Sequence, residues 1–134
     1  MFERGHFIGG REIPGASKRN ADVIDPSSGS VQGRVALASK DEVEKAVTSA
    51  SKAFPDWSAT NPQRRARVLF RFKELVEKDM DTLARLISAE HGKVLADARG
   101  DVQRGLDVIE FACGIPHLQK GEYTEGAGPG IDVY

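Results

Sequence analysis

Everything strand-like in the first part of this chain lies before Ser39, and from Ser39 to Cys113 the pattern is helical with no strand between. That segregation constrains the fold more than any single motif. Alternating strands and helices would build a parallel sheet covered on both faces, but strands followed by helices supply no βαβ unit. Nothing resembles the continuous apolar run of a buried parallel strand. A hairpin, one or two further strands, about four α-helices and the beginning of another strand at Ile131-Asp132-Val133-Tyr134 do not close into an architecture. The expectation is an incomplete unit, a fragment that stops within a strand-like segment.

The elements have specific signals. His6-Phe7-Ile8 and Arg11-Glu12-Ile13 flank Gly9-Gly10, a pair suited to the positive φ angles of a tight hairpin turn. Ala21 to Asp25 is a second short strand, stopped by the turn Pro26-Ser27-Ser28-Gly29, and Val31 to Ala38 is a third. Ser39-Lys40-Asp41-Glu42 is a capping box, followed by Val43, Ala46, Val47, Ala50 and Phe54 on one helical face, with Pro55 as the predicted stop. Trp57 is expected to pack beneath the connector that follows. Asn61-Pro62 opens the second helix, whose stripe is Leu69, Phe72, Leu75 and Val76. Asp79 or Asp81 caps a third, with Leu83, Leu86 and Ile87 inward and Gly92 left-handed after it. A fourth helix runs from about Leu95 to Cys113 and stops at Gly114-Ile115-Pro116. Gly126-Ala127-Gly128-Pro129-Gly130 reads as a flexible loop, because it opens no helix as a phosphate-binding turn must and Pro129 lacks a donor.

Composition narrows the class. The 134 residues carry 19 Lys plus Arg and 20 Asp plus Glu, so the net charge of −1 argues against a nucleic-acid partner and against a polybasic membrane surface. No apolar run approaches the ~20 residues of a membrane span, and the start of the chain has neither the basic-then-apolar order of a signal peptide nor a transit-peptide composition. One cysteine, Cys113, gives no support for an oxidising compartment, and a cytoplasmic location is the expectation.

Few residues carry chemistry. Cys113 sits near a helix C-terminus, where the dipole disfavours a thiolate, and reads as a small buried apolar residue. His6, His91 and His117 lie in predicted turns and loops at no metal-ligand spacing. Arg64, Arg65 and Arg67 read as a solvated helix face. Arg104 differs. The main stripe of the fourth helix is Ala98, Val102, Gly105, Ile109 and Ala112, and Arg104 lies well away from it, in a second row with Gly100, Val108 and Phe111. A cation between a glycine and two hydrophobes points to a second covered surface, and a guanidinium there could hold a carboxylate bidentately. The competing reading is a salt bridge to Asp97, Asp101 or Asp107 on the same helix.

Several of these segments resemble the aldehyde dehydrogenases. Asp25-Pro26-Ser27-Ser28-Gly29 is similar to that family's Asn-Pro-x-Thr-Gly-Glu turn, Ala53-Phe54-Pro55-Asp56-Trp57 to its Ala-Phe-x-x-Trp helix end, Arg64-Arg65-Ala66 to its arginine-rich helix start, and Glu90-His91-Gly92-Lys93 to its Glu-Asn-Gly-Lys turn. The run Gly100 to Pro116, with Gly121-Glu122-Tyr123 and Gly130 to Tyr134, resembles the CoA-acylating methylmalonate-semialdehyde dehydrogenase branch. Each motif is weak alone; their order and spacing over nearly the whole chain are not.

The resemblance implies an aldehyde dehydrogenase-like α/β fold, with residues 1–134 the N-terminal part of the NAD-binding domain. It implies NAD as cofactor and CoA as co-substrate. A cysteine thiolate attacks methylmalonate or malonate semialdehyde, hydride passes to NAD, carbon dioxide is lost and CoA takes the acyl group. The family's nucleophile, oxyanion-hole asparagine and NAD-binding units all correspond to positions beyond Tyr134, and Cys113 does not match the nucleophile's motif. This chain thus carries no catalytic or cofactor-binding residue and is expected to be inactive alone. Arg104 matches the arginine that binds the semialdehyde carboxylate. Glu90 and the Ile24 backbone match positions around a structural cation in some members. The partner expected besides the small-molecule semialdehyde is a second copy, as a homo-oligomer. Two other readings stay open: a stand-alone helical interaction module, and a dehydrogenase for a different aldehyde.

Overall fold

The computed structural model describes residues 1–134. The strands come first: β1 (Phe2–Arg4), β2 (His6–Ile8), β3 (Arg11–Ile13), β4 (Asn20–Ile24) and β5 (Val31–Ala36). Helices α1 (Lys40–Ala59), α2 (Pro62–Lys78), α3 (Met80–His91), α4 (Leu95–Cys113) and α5 (Ile115–Leu118) follow, and β6 (Thr124–Gly128) and β7 (Ile131–Val133) close the order. No helix is long and apolar enough to cross a membrane.

The predicted hairpin forms as β2–β3, His6 facing Ile13, with Gly9 at φ +63° and Gly10 at φ +81° in its turn. Both central residues of such a turn need positive φ, which is why Gly-Gly stands there. Strand β5 is central in a three-stranded sheet, antiparallel to β4 and parallel to β1. Strand β1 has no sequence signal, because it is a three-residue exposed edge. The ring of Phe2 lies over Gly33, its register partner, where a Cβ would come within 2.5 Å of the ring.

Helix α1 has the capping box: the Ser39 hydroxyl accepts from the Glu42 N–H at 3.3 Å and the Glu42 carboxylate accepts from the Ser39 N–H at 2.8 Å. Contrary to expectation, α1 runs through Pro55 and stops at Ala59. The carbonyl left without a proline donor belongs to exposed Ser51, where water can serve it, so one missing bond near the end does not break the helix. The end itself is closed by side chains: the Thr60 hydroxyl donates to the Asp56 carbonyl at 2.7 Å, and Ser58 to Pro55 at 3.0 Å. Trp57 therefore belongs to α1 rather than lying under a connector, and is half exposed. At α2, the Asn61 side chain accepts from Gln63 N–H at 2.8 Å with Pro62 following, as the sequence predicts. Asp79 stands at the cap position of α3 but its side chain makes no capping bond.

The core is where α2, α3 and α4 meet. Ala84 and Ala98 are fully buried, Val102 nearly so, and Val76, Met80, Leu83, Ile87 and Leu95 pack around them. Two alanines facing each other let helix axes approach closely, but such small side chains bury little area. Leu106 and Cys113 extend the buried row of α4, which confirms the sequence reading of Cys113 as a small interior residue. The predicted inward face of α1 stays open, with Val43, Val47 and Phe54 all more than half exposed.

The glycine-rich tail is not the loop the sequence predicts. Strands β6 and β7 pair antiparallel, with Gly128 facing Ile131 across Pro129-Gly130. Pro129 presets φ at the first turn position and Gly130 takes φ +73° at the second, a proline-glycine β-turn. The Asp132 carboxylate accepts from Gly126 N–H at 2.9 Å, and Tyr123 lies 5.5 Å from Tyr134 between ring centroids. Composition marks such a segment as loop; only cross-strand pairing shows it as a hairpin.

Candidate functional site

The surface that carries Arg104 begins at the turn between α3 and α4. Gly92 ends α3 in the left-handed conformation, φ +83°, and its N–H donates to the Ser88 carbonyl at 2.8 Å. The Ser88 hydroxyl donates to the Lys93 carbonyl at 2.6 Å, which fixes the backbone of Lys93 two residues before α4. From there the Lys93 ammonium reaches Asp97 Oδ2 at 2.7 Å and Asp101 Oδ2 at 2.5 Å. The spacing 93, 97, 101 is one i, i+4 row, so a single lysine spans two successive turns.

Asp101 uses its second oxygen elsewhere: Oδ1 accepts from Nη2 of Arg104. Helical side chains point back toward the N-terminus, which brings an arginine onto the carboxylate three residues earlier. Nη1 of Arg104 lies 3.5 Å from where a Gly100 Cβ would stand, an ordinary contact distance. Hydrogen bonding from Lys93, and after it from Arg104, holds the Asp101 carboxyl below the usual carboxylate range. The same bonds, to Asp101 and then Asp97, raise Lys93 above its usual value. The side chain of Lys93 is 17% exposed and that of Asp101 32%, whereas Arg104 is 66% exposed. The anchor is thus held within the fold and the guanidinium is presented outward.

Of the three aspartates weighed as partners for Arg104, Asp101 is the one it meets; Asp97 serves Lys93, and Asp107 accepts from Gln103 at 2.9 Å. Both sequence readings of Arg104 therefore keep a place, since the pair engages only one side of the guanidinium. The second row is not covered inside this chain: Val108 and Phe111 are each 67% exposed. Sequence reasoning missed Lys93 and Asp101 as a unit, although the four-residue spacing was available as the signal.

Gln32 ties the Ile24 carbonyl to the end of α3, one residue before Glu90. The Gln32 amide donates to the Ala89 carbonyl at 3.2 Å and to the Ile24 carbonyl at 3.4 Å, and Pro26 and Ser27 approach Gly92. Glu90 lines the groove between α2, α3 and α4 with Leu86, Ile87 and Val102. The Ile24 carbonyl already faces an amide donor, and no group of three or more His, Cys, Asp or Glu residues forms anywhere. Gly126 to Gly130 leads into β7 rather than a helix, so no N-terminal helix dipole faces that glycine turn.

None of the three histidines lies in a loop: His91 ends α3, His117 lies in α5, and His6 takes the place in the hairpin that its strand pattern gave it. It lies in β2 with its side chain 16% exposed, and Nε2 is 3.5 Å from Glu42 Oε1. Arg65 departs from the solvated face expected of it, lining a cavity with Trp57, Leu69 and Ile115.

Residues 13–133 match the model of the aldehyde dehydrogenase family. Over 129 residues, 96% of the chain, it is 44% identical to malonate-semialdehyde dehydrogenase of Pseudomonas aeruginosa, covering 26% of that protein. It is 40% identical over 128 residues to the mitochondrial acylating methylmalonate-semialdehyde/malonate-semialdehyde dehydrogenase of Homo sapiens, of which it covers 24%. Among solved structures, the methylmalonate-semialdehyde dehydrogenase of Oceanimonas doudoroffii superimposes with a TM-score of 0.87 at 46% identity, over 98% of this chain and 27% of that one. The chain spans about a quarter of the length of the relatives it matches.

Proposed function

We propose, from the premise that the chain belongs to the aldehyde dehydrogenase family, that it supplies the N-terminal part of the NAD-binding domain of an acylating malonate- or methylmalonate-semialdehyde dehydrogenase. The observation that carries this reading is the similarity to enzymes with those names along 96% of the chain. NAD and CoA are held by residues outside this segment, as is the thiolate that attacks the aldehyde. The homo-oligomer belongs to the same proposal.

What this segment contributes is substrate binding. Arg104 sits on a helix face that the chain leaves open, with one side of its guanidinium held by Asp101. The remaining donors suit a carboxylate, which a planar guanidinium grips through parallel N–H bonds. Both malonate and methylmalonate semialdehyde carry a carboxylate besides the aldehyde, so a fixed cation would select them over neutral aldehydes.

The test is Arg104→Leu in the enzyme that carries this segment. The quantity measured is the ratio of kcat/KM for methylmalonate semialdehyde to that for propanal. The ratio should fall about 100-fold or more, the scale expected when a desolvated charge loses its partner. A structural salt bridge would affect both aldehydes alike. An unchanged ratio removes Arg104 as the carboxylate anchor and favours a dehydrogenase for a different aldehyde.

A further inference from the structure

Lys93, Asp101 and Arg104 form a continuous chain of contacts. Lys93 is fixed at its carbonyl by Ser88 and at its ammonium by Asp97 and Asp101. Asp101 divides its oxygens, Oδ2 to Lys93 and Oδ1 to Arg104. We propose that Asp101, anchored by Lys93, is the positioning residue that sets the direction of the Arg104 guanidinium for an incoming carboxylate. The proposal rests on the reading of Arg104 as the carboxylate anchor.

Arginine has many rotamers, and an unrestrained guanidinium would lose that freedom each time substrate binds. A strut removes the loss beforehand. The alternative is that Asp101 competes with the substrate and must be displaced. Its geometry opposes that. A carboxylate that is free to leave would not have its other oxygen held by an ammonium which is itself tied to Asp97 and to the α3–α4 turn. Asp101 touches no substrate in this scheme; it acts through Arg104.

The experiment uses the enzyme carrying this segment, with Asp101→Asn, Lys93→Gln, Lys93→Arg and Arg104→Leu compared for methylmalonate semialdehyde and propanal. Asp101→Asn should raise KM for the semialdehyde about tenfold, the cost of weakening one charge-assisted bond. Its kcat should stay within about twofold, and propanal kinetics should not change. Lys93→Gln leaves Asp101 and Arg104 in place and should raise the same KM in the same direction, while Lys93→Arg should restore it. If Asp101→Asn fails to fold, the two Lys93 variants decide the question. A semialdehyde KM that falls in Asp101→Asn, or is unchanged in both Asp101→Asn and Lys93→Gln while Arg104→Leu loses its selectivity, overturns the strut and leaves the proposed function standing. If Arg104→Leu also keeps its selectivity, the carboxylate anchor itself is wrong and the strut falls with it.

Discussion

Glu42 shows how much one side chain decides at the residue scale. Its carboxylate accepts from Ser39 N–H at 2.8 Å, from Ala16 N–H at 2.6 Å and from the Ser39 hydroxyl at 2.8 Å, and His6 stands beside it. The Ser39 and Ala16 backbone bonds lead in holding its pKa down, from an ordinary 4.5 to about 2. A depressed carboxylate stabilises the fold fully above its unfolded value. That contribution is lost as pH falls from about 4.5 through about 2. Urea melts of the chain from pH 6 down to pH 2 should therefore show stability declining through this window. Glu42→Gln should flatten the decline, and an identical slope in the mutant would assign it to other groups. The capping box was legible, because Ser-x-x-Glu before an apolar row is a local signal. The Ala16 and His6 contacts were not, because they depend on the β2–β3 hairpin docking against α1.

At the scale of elements, the crossing of α3 over α4 rests on Ala84 and Ala98, both fully buried. A larger side chain there must push the axes apart. Ala84→Leu should lower stability by about 1–3 kcal/mol through overpacking, whereas Leu86→Ala, at a residue 54% exposed, should cost under about 0.5 kcal/mol. Denaturant midpoints of the two variants separate these outcomes, and equal losses would contradict the packing described. Helix starts at Ser39 and Asn61 and the stop at Gly92 were all readable, since caps and left-handed glycines act within a few residues. The passage of α1 through Pro55 was not, because proline ends a helix only where the lost bond has no substitute.

The whole molecule is under-buried. Its accessible surface is 10265 Å², against roughly 6,900 Å² for a compact monomer of this mass. The excess is of the order that obligate interfaces bury. Only 8 of 134 residues are buried, and apolar side chains stand open on α1 at Val47 and Phe54, on α2 at Phe70 and Phe72, and on α4 at Val108 and Phe111. The β6–β7 hairpin, with Ile131 and Val133 more than half exposed, adds another uncovered apolar edge. The chain by itself should therefore self-associate, with light scattering giving a mass above 14.5 kDa that rises with concentration. A compact monomer at high concentration would show that these faces close on one another in solution.

Sequence by itself determined the β2–β3 hairpin, the four long helices, the caps at Ser39 and Asn61, the left-handed Gly92, the family, and the row holding Arg104, because each is written in local spacing or in the succession of short motifs. Tertiary structure decided the rest. It selected Asp101 from three aspartates as the partner of Arg104, joined it to Lys93 across the α3–α4 turn, drew His6 against Glu42, and left the apolar face of α1 uncovered. Periodicity tells which face of a helix is apolar. Which neighbour covers that face depends on where the other elements pack, and a one-dimensional pattern does not contain that information.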